Sequence, residues 1–124
     1  MTVLNEQLND ARIISEIAGW YKGKVLTITE LRPNTLISDD VIPALLLQQK
    51  APVFVTINYK DFWRKMPAHT GYCVVCFKLP LERKLKIPAK LRWVLGLDAF
   101  KTWRMRKGKV LSVIGEIVGY YEHE

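Results

Sequence analysis

Three short apolar runs in this chain are followed by acidic side chains. Glu6 comes after Val3-Leu4 and Asn5. Asp39 and Asp40 lie in the connection after Lys24 to Ile28, and Asp61 follows Val53 to Ile57 and Asn58. If the runs are parallel strands of one open sheet, the residues past their carboxyl ends share a rim, where such sheets build their sites. Carboxylates without His or Cys form the donor set of a hard cation, Mg²⁺ or Mn²⁺. Such an ion activates water and stabilises charge on a phosphodiester under attack. The candidate catalytic and metal-ligating residues are therefore Glu6, Asp39, Asp40 and Asp61.

Most of these acids also have a local explanation. Ser38-Asp39-Asp40 suits a helix N-terminus, where side-chain acceptors meet orphan N–H groups and negative charge meets the positive dipole end. Asp61 can cap a turn beginning at Phe62, and Asn58 can organise the turn after its strand. Glu6 has no comparable local role, which makes it the most informative acid of the set.

Two other patterns invite chemistry. Cys73 and Cys76 have C-x-x-C spacing, but they sit in Tyr72-Cys73-Val74-Val75-Cys76-Phe77, which reads as a buried strand. Strand residues three apart point to opposite faces, so the sulfurs diverge and both read as core cysteines. His69 and His123 have no partner motif and read as surface residues. Aromatic and basic residues interleave in Phe62-Trp63-Arg64-Lys65 and Trp103-Arg104-Met105-Arg106-Lys107. Single-stranded RNA is held by that combination, rings stacking on bases and cations following phosphates. Half-buried packing is the competing reading, favoured for Trp63 and evenly weighed for Trp103. Lys84, Lys86, Lys90 and Arg92 extend the basic surface around Pro88.

The elements that must position these residues follow from periodicity. A helix fits Asp10 to Trp20, with Ile13, Ile14, Ile17 and Ala18 on one stripe. Lys24 to Ile28 reads as a strand, Leu31 to Ile37 as a loop, and Ser38 to about Gln49 as a helix with Pro43 in its first turn. Val53 to Ile57 is a uniformly apolar strand of the kind covered on both faces. Asp61 to Arg64 reads as one helical turn, Tyr72 to Phe77 as a fourth strand, and Leu81 to Leu97 as a helical region broken at Pro88. Val110 to Ile114 and Ile117 to Tyr121 form a hairpin about Gly115-Glu116. This alternation implies an α/β fold, a three-layer sandwich with a mostly parallel central sheet extended by the C-terminal hairpin.

At 124 residues, 49% of them apolar, the chain suits one ordinary domain and excludes a disordered class. Its apolar runs are too short to span a bilayer, and its start lacks the pattern of a signal peptide, so a cytoplasmic location without membrane contact is expected. The net charge of +7 is unevenly spread: Lys60 to Lys109 holds fourteen Lys or Arg against three acids, whereas the remainder holds five against nine. A polyanion is the natural partner of such a basic segment. The hairpin is apolar with no Lys or Pro to blunt an open edge, which points to a homodimer burying it.

A family resemblance runs through these same residues. Leu4-Asn5-Glu6-Gln7-Leu8 resembles the L-x-D-E-N-L opening of a bacterial PIN-like family. Ser38-Asp39-Asp40-Val41-Ile42 is similar to its S-D-E-E-I helix start. Val55-Thr56-Ile57-Asn58-Tyr59-Lys60-Asp61-Phe62 resembles its V-T-x-D-x-D-F segment with one extra residue before the final Asp-Phe. The match covers about the first 80 residues in order and spacing. It implies a PIN-like sandwich and a metal-dependent ribonuclease, the toxin of a toxin–antitoxin pair, with RNA as substrate and an antitoxin protein as partner. Asn5 and Asn58 stand where the pattern has Asp, and an amide brings a ligand oxygen without its charge. The alternatives are a catalytically degenerate PIN-like module that binds RNA, and a protein-interaction module that self-associates through its hairpin.

Overall fold

The computed structural model describes residues 1–124. Strands β1 (Thr2–Leu4), β2 (Val25–Thr27), β3 (Val53–Thr56), β4 (Cys73–Phe77), β5 (Lys109–Ile114) and β6 (Ile117–Glu122) form one sheet in the order β2-β1-β3-β4-β5-β6. The first five are parallel, and β6 returns antiparallel to β5. Every residue of β1, β3 and β4 is buried, which is why these segments read as mainly apolar runs rather than alternating ones.

Helices cover both faces. On one side α1 (Ala11–Trp20) and α5 (Ile87–Gly96) pack Ile13, Ile17, Leu91 and Val94 against Leu4, Val55, Val75 and Leu111. On the other, α3 (Ile42–Leu47) and α4 (Tyr59–Phe62) pack Ile42, Leu46 and Phe62 against Val3, Phe54, Val74 and Val110. Pro43 and Pro88 each fall in the first turn of their helix, where the missing N–H is not needed. The β3–β4 and β4–β5 connections step the same way along the sheet but cross opposite faces. They therefore have opposite hands, a departure from the usual rule for parallel connections.

The differences from the sequence reading lie in the short elements. Strand β2 ends at Thr27, and Ile28 opens a one-turn helix, α2 (Ile28–Leu31), because Glu30 Oε2 reaches back 2.7 Å to accept from the Thr27 N–H. The turn after β3 begins at Tyr59 rather than Asp61, so Asp61 lies inside it and does not cap it. The segment expected as one helix from Ser38 is a 3-10 turn, Asp39–Val41, followed by α3, and Leu81–Lys86 is likewise 3-10 before α5. A further turn, α6 (Trp103–Arg106), is capped by Thr102, whose Oγ1 accepts from the Met105 N–H at 3.3 Å.

The hairpin joins the sheet through β5, and Gly115 takes the φ of 60° that its tight turn needs at the first central position. Strand β6 is left as the open edge, with Ile117 74% exposed. Cys73 and Cys76 face opposite sides, one in each apolar layer, as strand alternation requires. Both thiols are free, and burial pushes each up to about 12. Neither should react with a thiol-alkylating reagent at pH 8 in the native protein, and both should react once it is unfolded. Rapid native labelling, read by mass spectrometry, would show that β4 is not a central buried strand.

Candidate functional site

Strand order reverses between β1 and β3, because the chain leaves β1 towards β2 and returns across it to β3. The carboxyl ends of these two strands thus frame the crevice where open α/β sheets bind ligands. A hydrogen-bonded chain crosses this crevice. Asn5 donates from Nδ2 to Thr56 Oγ1 at 2.8 Å and to Gln7 Oε1 at 3.2 Å, while its Oδ1 accepts from the Glu6 N–H at 2.9 Å. Thr56 Oγ1 also accepts from the Asn58 N–H at 3.0 Å, and Asn58 Nδ2 donates to Asp61 Oδ2 at 2.7 Å. Both Asn side chains therefore act as donors, a role that a carboxylate cannot fill.

On the α3–α4 side of the sheet, Asp39, Asp40 and Asp61 line one cavity of about 570 Å³. Pro43, Ala44 and Leu47 of α3 form one wall, and Lys65 is the cation in the lining. Partial burial raises the Asp39 carboxyl above its ordinary value, and the charges of Asp61 and Asp40 raise it further. Asp39 and Asp40 lie in the first turn of their 3-10 segment, but no side-chain cap forms there. Ser38 occupies the N-cap position without making a capping bond, and its Oγ instead donates to Asp40 Oδ1 at 2.5 Å.

Glu6 lies outside that cavity. It is exposed and opens the 3-10 turn Glu6–Leu8. Side-chain alternation explains this placement: Leu4 faces the α1 layer, Asn5 turns to Thr56, and the next residue turns away again. The structure thus brings together Asp39, Asp40 and Asp61 and leaves Glu6 apart. No three His, Cys, Asp or Glu side chains are placed to hold a metal ion jointly. Carboxylate oxygens are the donor type of a hard cation, and these three acids are the ones that could contribute to such a site.

Thr56 is the residue that sequence reasoning missed. Its signal was a polar residue closing an otherwise apolar strand, buried with no exposed surface and therefore obliged to find partners. The aromatic residues have mainly packing roles. Trp63 is half-buried between Tyr59 and Tyr121, at ring-centroid distances of 6.0 and 5.1 Å, and Trp103 is half-buried against the α1–α5 layer. His69 and His123 are both exposed.

No family model, curated protein or solved structure matches this chain. No helix is long and apolar enough to cross a membrane.

The raised Asp39 carboxyl has a consequence for stability. Above the folded-state value Asp39 is ionised both folded and unfolded, and the fold carries the full cost of partly burying that charge beside Asp61 and Asp40. As pH falls through that value the folded state takes up its proton first, and the penalty is gone below the ordinary carboxylate range. Asp39→Asn should therefore stabilise the protein at pH 7, by less than about 1 kcal/mol because solvent screens the site. The gain should vanish near pH 3 in urea unfolding. A gain independent of pH would remove the electrostatic explanation.

Proposed function

We propose that this chain is a PIN-like protein directed at RNA, a metal-dependent endoribonuclease whose working acids are Asp39, Asp40 and Asp61. The observation that carries the reading is the convergence of Asp39 and Asp61, from segments on either side of β3, on one solvent-reachable cavity at the carboxyl rim. Mg²⁺ or Mn²⁺ bound there would supply an activated water and charge neutralisation at the phosphodiester. Asp61, oriented by the Asn58 amide, and Asp40, oriented by Ser38, would hold the ion. Asp39, whose carboxyl is raised by burial and by the charges of Asp61 and Asp40, is suited to take a proton from attacking water. Lys65 lies on the cavity wall, where it offers positive charge to the phosphate. Glu6 adds negative potential at the end of β1.

A second reading, an RNA-binding module that does not cleave, is favoured by one specific observation. Asn5 and Asn58 spend their amide N–H groups on Thr56, Gln7 and Asp61 at the positions where the resembling pattern has Asp. Incubation with single-stranded RNA and Mn²⁺ separates the two. Cleavage that is lost in Asp61→Asn supports the nuclease, binding without cleavage supports the module, and failure to bind RNA overturns both. Asn58→Asp tests the ion independently of activity. It replaces a 2.7 Å hydrogen bond to Asp61 by two facing carboxylates, and should cost about 1 kcal/mol without metal. Millimolar Mn²⁺ should restore the melting temperature if this rim binds the ion, and should leave it unmoved otherwise.

The proposal extends to assembly. As the toxin of a pair, a protein working in the cytoplasm, the chain would have an antitoxin protein as its partner. Strand β6 has no neighbour on its outer side and exposes Ile117 and Tyr120, so a homodimer through this edge is proposed. Sedimentation at micromolar concentration should show a dimer that Ile117→Lys dissociates; a monomeric parent protein would remove the proposal.

A further inference from the structure

A second, smaller cleft opens on the other side of Asn58, between the carboxyl ends of β3 and β4. It encloses about 320 Å³ and is lined by Asn58, Tyr59, Lys60, Lys78, Leu79 and Pro80. Its lining contains two lysines and no acid. Neither lysine is neutralised elsewhere: the ion pairs of this chain join Asp10 to Arg12 and Lys84, and Asp98 to Lys101. A concave site lined by two lysines and no carboxylate presents only positive charge to a ligand, and an anion is what that field attracts.

Both lysines emerge from fixed backbone. Lys78 directly follows β4, and its N–H donates to Val113 O at 3.0 Å. Its ammonium sits 5.7 Å from the Tyr59 ring centroid. That ring is held by a 2.8 Å hydrogen bond between its hydroxyl and Ser112 Oγ and by stacking on Trp63. The face of Tyr59 thereby attracts the cation and keeps it beside the cleft. Lys60 lies two residues beyond Asn58, whose N–H is tied to the buried Thr56 hydroxyl. A compact ammonium on a flexible stem, paired with another across a cleft, suits a phosphate oxygen as a point charge.

We propose that this cleft is a phosphate subsite, in which Lys60 and Lys78 hold a backbone phosphate of single-stranded RNA next to the one presented to Asp39 and Asp61. The inference rests on the RNA-directed reading above. Asn58 joins the two places, lining the basic cleft and donating to Asp61 in the acidic cavity. A strand laid along the rim across Asn58 meets the basic cleft and the acidic cavity in succession. The subsite also answers an electrostatic problem of the acidic cavity, which repels a polyanion unless positive charge anchors it nearby. Beyond Pro80 the path continues onto the 3-10 turn Leu81–Lys86, where Arg83 and Lys86 carry no ion pair.

The test is fluorescence anisotropy with a labelled ten-nucleotide RNA, using the full chain without metal across a range of salt concentrations. Lys60→Ala/Lys78→Ala should weaken binding about tenfold at 0.1 M salt and flatten the log–log salt dependence by roughly 0.7 for each phosphate no longer neutralised. Lys22→Ala/Lys24→Ala removes the same charge from the loop before β2 and should change affinity less than about twofold. Lys60→Gln/Lys78→Gln should repeat the loss if alanine lowers the melting temperature. Equal losses in the two lysine pairs, or none in the rim pair, overturn the subsite. Two further arms separate the sources of phosphate and the two proposals. Inorganic phosphate at millimolar concentration should compete weakly with RNA; if it binds the cleft while RNA binds nowhere, the ligand is a small oxyanion and the RNA subsite is wrong. A dinucleotide substrate with Mn²⁺, too short to reach both places, should be unaffected by the rim pair. Selective loss of RNA binding in a protein that never cleaves sustains the subsite and defeats the nuclease. Cleavage of the ten-nucleotide RNA unchanged by the rim pair does the reverse.

Discussion

The Thr56 hydroxyl has no exposed surface, and its hydrogen-bond partners inside the protein come from both sides of the switch point. The Asn5 side chain reaches it from the end of β1, and the Asn58 backbone reaches it from the turn after β3. This pairing sets where α4 begins. From that start Tyr59 points towards β5, Phe62 enters the apolar layer and Asp61 faces the acidic cavity. Asp61, one of the residues on which the functional reading depends, is thus tied through Asn58 to one buried polar contact as well as to the apolar core.

Charge is sorted around the same short helix. Asp61 lies towards Asp39 and Asp40, and Lys60, its neighbour in sequence, lines the cleft with Lys78. In the acidic cavity burial, with the charges of Asp61 and Asp40, raises Asp39, whereas the cleft beside it is lined by two lysines and no carboxylate. On the proposed reading a cation and a polyanion would take adjacent places on one rim, as metal-assisted attack on a phosphodiester demands. The basic stretch from Lys60 to Lys109 begins at this rim and continues through the 3-10 turn before α5.

The central strands were legible because they are covered on both faces and must be largely apolar, as Val53 to Val55 and Cys73 to Phe77 are. Helix α1 was legible from its stripe of Ile13, Ile14 and Ile17, and the sulfurs of Cys73 and Cys76 were separated by strand parity alone. Four-residue helices such as α2 and α6 carry no periodicity, so only their capping residues, Thr27 with Glu30 and Thr102, could have marked them. The opposite hands of the last two parallel connections have no local signal, since they depend on which face α5 shares with α1. At the site, the convergence of Asp39, Asp40 and Asp61 followed from strand ends meeting at one rim. The separation of Glu6 did not, because it turns on a single step of side-chain alternation after β1. That step was readable in principle: Leu4 belongs to the α1 layer, which hands the crevice to Asn5.

The measurement that bears most directly on this account is a comparison of Thr56→Val with Thr56→Ser, by urea unfolding and by NMR titration of the Asp39 carboxyl. Valine keeps the shape but leaves the Asn5 amide and the Asn58 N–H without their acceptor, and serine keeps the hydroxyl. The account predicts that Thr56→Val loses about 1–3 kcal/mol of stability. It also predicts that Asp39 titrates closer to its ordinary value as Asp61 drifts from the cavity, with Thr56→Ser resembling the parent in both readouts. A valine variant as stable as the parent, with Asp39 raised as far as in the parent, would contradict it.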